Sequence, residues 1–153
     1  MGPFSVDPKQ VEGLDGPGFA DLVGRLLAAE VARAGLAGWT LTQTYRTNAA
    51  DGGVDAGLSN STATSWLPAG DSAWQFKAGD LPPAACEEEL RGATAALEIL
   101  KAGGSYRLVL GKSLAPNLIA TRKARLETVA RAVGVDVVPG MIEVLAGDSL
   151  ARW

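Results

Sequence analysis

The hydrophobic period changes several times along this chain, and those changes limit its fold more than any other feature. From about Gly16, the residues Phe19, Leu22, Val23, Leu26, Leu27, Val31 and Ala34 recur at helical spacing and mark one buried stripe. Pro17 suits the first turn of that helix, and Gly35 is a natural stop. The period then shortens. Residues 39–46 alternate and are rich in Thr and aromatics, which predicts a strand. Asp51-Gly52-Gly53 is the sharpest point of a turn over 47–53, and 54–58 is the second strand of a hairpin.

A polar loop over 59–71, pinned by Trp66, leads to a third strand at 72–78. A helix is expected over 83–101, with Glu87, Glu88 and Glu89 early in it, where the helix dipole favours acids. A strand at 106–110, a helix over 116–133 and two short strands at 135–138 and 141–145 complete the order. Residues 1–15 read as an irregular lead-in. This order predicts an α/β fold in which helices cover both faces of a mixed central sheet.

A chain of 153 residues is long enough for one domain, 1–153, with its own core. The helix start at 148–153 stops abruptly, as expected of a domain excised from a longer, multi-domain protein. No apolar run approaches the roughly 20 residues of a membrane span, and the N-terminal stretch lacks the pattern of a secretory signal. A cytoplasmic setting with no membrane partner is therefore expected. Cys86 is the single cysteine, which excludes a disulfide framework and a thiolate zinc site. Histidine is absent, so Ser-His-Asp and Cys-His nucleophile systems and HExxH zinc sites are excluded. Hydrolytic chemistry here has to run on carboxylates, Lys, hydroxyls and a hard metal ion.

Asp55 lies just past the turn, behind two glycines that permit close approach of a ligand. Gln75 and Lys77 share one face of the third strand, because strand side chains alternate with period two. A carboxylate, an amide oxygen and an ammonium around one point suit a divalent cation and a phosphate diester. The plainer alternative is a solvated hairpin acid and two edge residues facing water. Glu30 falls on the apolar stripe of the first helix, where a carboxylate is costly unless paired or metal-bound; otherwise it sits at the stripe's edge and reaches solvent.

The residues Gly52-Gly53-Val54-Asp55 and Gln75-Phe76-Lys77, preceded by Gly18-Phe19-Ala20-Asp21-Leu22-Val23, resemble the PD-(D/E)XK nuclease superfamily, in particular the Mrr-like restriction endonucleases. The resemblance covers roughly 16–110. More loosely, Leu150-Ala151-Arg152-Trp153 looks like the nuclease domains at one end of large multi-domain bacterial NTPases. The resemblance implies a restriction-endonuclease-like three-layer core. It also implies a Mg²⁺- or Mn²⁺-dependent DNA endonuclease acting on double-stranded DNA, as the effector of a restriction or anti-phage defence protein.

Under that resemblance Asp55 is the metal-binding acid, Gln75 stands where the second acid usually is, and Lys77 is the catalytic lysine. The backbone carbonyl of Phe76 would add a neutral ligand. Two departures stand out: Val54 replaces the proline before the first acid, and Ala20 stands where the first helix often carries a glutamate. The missing acid then comes from Glu30, on the buried stripe, or from Asp21. The alternatives are a catalytically inactive nuclease fold that binds nucleic acid or protein, homo-oligomer included, and an RNase on the same fold.

Basic residues complete the set. Arg122, Lys123 and Arg125 either contact DNA phosphates or form an ordinary solvated helix face, which the net charge of −3 leaves open. Gly111-Lys112-Ser113 ends like a phosphate-binding loop, but Tyr106 stands where its first glycine is required, so Lys112 is at most a phosphate contact.

Overall fold

The lead-in is not irregular throughout. The Asp7 side chain accepts a hydrogen bond from the Lys9 N–H while the Gln10 side chain accepts one from the Asp7 N–H, a reciprocal cap that starts α1 (Pro8–Glu12). Asp15 caps α2 (Gly16–Ala34) in a simpler way, accepting from the Gly18 N–H at 2.8 Å; Gly35 ends it in the left-handed region at φ 61°. The computed structural model describes residues 6–35, 40–43 and 54–153. The Asp51-Gly52-Gly53 turn, Trp39 and Tyr45 lie outside the described residues.

Among the described residues, five strands form one mixed sheet in the order β1 (Thr40–Gln43), β2 (Ala56–Ser61), β3 (Gly70–Lys77), β4 (Ser105–Leu110), β5 (Ile142–Leu145). The first three are antiparallel neighbours, whereas β3–β4 and β4–β5 are parallel. The parallel pairs need crossover connections, and helices supply them. The first crossover is not the continuous helix expected over 83–101. It breaks at Ala93, whose φ of −87° and ψ of 71° separate α3 (Pro83–Gly92) from α4 (Thr94–Lys101). The second crossover is α5 (Pro116–Ala132).

The strand expected at 135–138 does not form. Gly134, at φ 92°, turns the chain out of α5, the Val135 N–H closes back onto the Ala130 carbonyl, and the segment runs to a Val138–Met141 turn ahead of β5. The chain ends in α6 (Gly147–Arg152).

Successive residues of the strands face opposite layers, and the core divides accordingly. On one face Ala73, Tyr106, Leu108, Ile142 and Val144 pack with Cys86, Leu90 and Leu97 of α3 and α4 and with Leu126 of α5. On the other, Ala56, Leu58, Trp74 and Val109 pack against Phe19, Val23 and Leu27 of α2 and Leu150 of α6. Helices therefore cover both faces of the sheet, as the alternating periods predict. Gly147 enters α6 so close to the loop after β4 that a Cβ there would stand 2.2 Å from the Gly111 carbonyl oxygen. Among the described residues, no helix is long and apolar enough to cross a membrane.

Candidate active site

The site is built from the C-terminal half of β3, the residue that leads into β2, and the helix that follows β3. Asp55 immediately precedes β2. Its N–H donates to the Trp74 carbonyl at 2.8 Å, and its Oδ2 accepts from the Phe76 N–H at 2.7 Å. The carboxylate is thus fixed beside β3 by backbone on both sides. Gln75 and Lys77 point to the α3 side of the sheet, opposite Trp74. Gln75 is buried, 4% exposed, and its amide is held at both ends. Its Oε1 accepts from the Tyr106 hydroxyl at 2.5 Å and its Nε2 donates to Glu89 Oε1 at 2.5 Å. The same Glu89 Oε1 lies 2.8 Å from the Lys77 ammonium.

Glu89 is therefore a fourth member of the cluster, one that the sequence reading placed only among favourable N-terminal acids. Cys86, Leu90 and Ala93 are the buried residues of α3 and the turn after it. Glu89 is the acid of the Glu87–Glu89 run nearest that stripe, three residues after Cys86 and next to Leu90. This spacing was the available signal. The resulting set is Asp55, Glu89, Gln75, Lys77 and Tyr106, lined up along β3 and its parallel neighbour β4.

The electrostatics tie the set together. Burial pushes the Tyr106 phenol well above its ordinary value, and the charges of Glu89, Cys86 and Asp55 push in the same direction. Tyr106 is consequently a fixed hydrogen-bond donor to Gln75. Cys86 is no nucleophile: burial raises its thiol to about 11, and its Sγ donates to the Leu81 carbonyl at 3.3 Å.

Other expected members lie elsewhere. Glu30 is buried, as its stripe position predicts, but on the α2 layer, across the sheet from Gln75. Arg33 grips it with Nη2 at 2.6 Å and Nε at 3.1 Å. That guanidinium, with hydrogen bonds from Thr64 and Trp153, holds its carboxyl below the ordinary glutamate value against the opposing effect of burial. Glu30 is a clasp between α2, the 62–69 loop and the C-terminal tryptophan, not a partner of Asp55. Asp21 is exposed and paired with Arg25 at 2.9 Å on the same helix. Phe76, expected to lend its backbone carbonyl to a metal, contacts Asp55 through its N–H at 2.7 Å.

The basic helix face is also spoken for. Arg122 is buried and spends its guanidinium on Asp80, at 2.9 and 3.2 Å, and on the carbonyls of Leu81 and Leu118. That corrects its assignment as a DNA contact, because the side chain is buried and its guanidinium is held by Asp80 and two backbone carbonyls. Lys123 pairs with Glu143 and Arg125 with Glu87, each at 3.0 Å. Lys112 is exposed and follows the C-terminal end of β4, where its N–H donates to the Gly79 carbonyl at 3.0 Å. Of the four cations it alone has no ion-pair partner among the described residues.

The donor chemistry fits a hard divalent cation. Two carboxylates and an amide oxygen are the ligand types such ions take, and Mg²⁺ in particular keeps several waters on one or two protein carboxylates. Among the described residues no group of three or more His, Cys, Asp or Glu side chains converges into a closed cage. Compared with family models, curated proteins and solved structures, the chain matches none.

Proposed function

We propose that this chain is a divalent-metal-dependent phosphodiesterase with a restriction-endonuclease-like core, acting as a DNA endonuclease domain of a bacterial restriction or anti-phage defence protein. One observation carries the reading: Glu89 Oε1 meets both Gln75 and Lys77 beside an Asp55 carboxylate anchored to the Phe76 N–H. Asp55 and Glu89 are the residues that would hold Mg²⁺ or Mn²⁺. When bound, the ion acidifies water and polarises a phosphodiester.

The chain's own residues do the rest. Gln75, clamped at its oxygen by Tyr106, sets the position of Glu89 through its Nε2. Lys77 is 36% exposed, so its ammonium can reach both Glu89 and an incoming phosphate, orient a water, and steady the negative charge that grows on phosphorus. None of this needs histidine.

Plasmid nicking with Mg²⁺ or Mn²⁺ tests it. Asp55→Asn, Glu89→Gln and Lys77→Ala should each lower the rate by about a hundredfold or more at unchanged fold. Cleavage that persists in Lys77→Ala and Glu89→Gln sinks this assignment of the site. Duplex DNA should be cut in preference to single-stranded RNA; the reverse preference makes it an RNase on the same residues. The Lys77–Glu89 ion pair favours a second reading, in which the two charges neutralise each other in a catalytically inactive module that binds nucleic acid or protein. Duplex binding without cleavage under any divalent ion selects that reading.

A further inference from the structure

Tyr106 and Arg107 are consecutive on β4 and face opposite layers. Tyr106 serves the candidate active site; Arg107 points to the α2 side and carries a charge that the proposed chemistry does not use. It is only 9% exposed. Its Nη1 donates to the carbonyls of Tyr106, at 3.2 Å, and Met141, at 3.1 Å. Its Nε and Nη2 donors have no hydrogen-bond or ion-pair partner among the described residues. These two donors are not sealed in the core: they open onto a solvent-accessible cavity, where they are available to an anion.

The cavity has a volume of about 340 Å³ and is lined by Arg107, Glu143, Ser65, Trp66, Ser149 and Arg152 among others. Glu143 contributes a negative charge, but its Oε1 is already held by Lys123 at 3.0 Å, and it makes no ion pair with Arg107. Arg152 is 70% exposed with Asp148 only at 4.0 Å, so its guanidinium is free to turn inward. The wall thus offers two guanidinium groups, two serine hydroxyls and an indole. Burial lowers the Arg107 pKa while Glu143 raises it, and an arginine remains charged regardless.

We propose that this cavity binds the phosphoryl group of a small ligand, either free phosphate or a mononucleotide. A planar guanidinium edge matches the spacing of two phosphate oxygens, and the serines can serve the others. A carboxylate has too few oxygens to use this donor set. The volume suits a mononucleotide, since ligand pockets begin at about 300 Å³, and Trp66, stacked on Trp153 with ring centroids 4.8 Å apart, lines the wall.

The test is titration of the full chain, free of divalent ions and at constant chloride, with inorganic phosphate, AMP and adenosine, read by calorimetry and tryptophan fluorescence. Saturable binding of phosphate and AMP, but not of adenosine alone, is expected. AMP tighter than phosphate with a fluorescence change identifies the nucleotide as the source; equal affinity identifies free phosphate. Arg152→Glu, on an exposed side chain that does not hold the fold, should weaken both by about tenfold or more, as should Arg107→Lys. Lys77→Ala should leave them unchanged. Absence of saturation at about 10 mM, where binding is worth under 3 kcal/mol, overturns the proposal. So does affinity indifferent to Arg152→Glu, or affinity lost in Lys77→Ala, which would put the phosphate in the candidate active site.

Discussion

Replacing Tyr106 by phenylalanine isolates the buried hydrogen bond on which the candidate site is hung. Tyr106 is fully buried and Gln75 is 4% exposed, so no water replaces the lost hydroxyl. The ring volume is retained, which leaves out any large cavity contribution. What remains is a buried amide oxygen without its donor, worth about 1–3 kcal/mol. Taking about 2 kcal/mol, the folded-to-unfolded ratio falls by about thirtyfold, and a domain of this size loses about 4–8 °C in Tm.

Urea unfolding is the assay, with a shift in midpoint at constant m as the sign of a pure stability change. The loss should be flat from about pH 6 to pH 9, because burial and the neighbouring acids keep the phenol protonated throughout that range. Gln75→Leu supplies the second arm. The double variant should cost less than the sum of the two single ones, since each alone strands the other's partner. A Tyr106→Phe loss below about 0.5 kcal/mol, or strict additivity with Gln75→Leu, refutes the idea that the phenol holds the amide.

Three further substitutions have defined outcomes. Arg122→Ala removes the buried clamp on Asp80 and the carbonyls of Leu81 and Leu118, and should cost about 3 kcal/mol in chemical denaturation while leaving duplex affinity of the folded protein unchanged. Glu30→Gln should destabilise at neutral pH; because the native carboxyl titrates below its ordinary 4.5, the stability it adds is full above that pH and disappears as the pH falls through the lower native value. The gap between wild type and variant in thermal melts should therefore narrow on acidification. Gly147→Ala drives a Cβ onto the Gly111 carbonyl, 2.2 Å away, and should lower stability by about 2 kcal/mol in the same melts.

Much of the architecture was legible because period reports burial directly. The α2 stripe, the alternation that set Gln75 and Lys77 on one face, and the helical crossovers all follow from spacing alone. A stripe, however, says that a residue is buried and not which layer buries it. Glu30 was correctly placed on an apolar face, yet α2 packs on the side of Trp74, and the sheet stands between Glu30 and Gln75. Glu89 failed to stand out for the converse reason. A run of three acids looks like dipole compensation until the packing of α3 decides which one faces β3. Local signals were also available and passed over: Asp7 and Gln10 have capping-box spacing ahead of Val11, the buried residue of α1. The break at Ala93 was marked in the same way: Gly92 ends α3, and a glycine inside a helical pattern costs about 1 kcal/mol against alanine.

The placement of Tyr106 and Arg107 on neighbouring positions of β4 has a consequence for how the sequence can vary. Substitutions can alter either face alone, because each side chain reaches a different layer. Changes of length cannot. Inserting or deleting one residue within β4 turns every later side chain over. A shift of that kind ahead of Tyr106 would present the guanidinium to Gln75 and Glu89 and bury the phenol against the α2 layer. The two faces are therefore independent under substitution but inseparable under insertion and deletion, and β4 should keep its length even where its residues change.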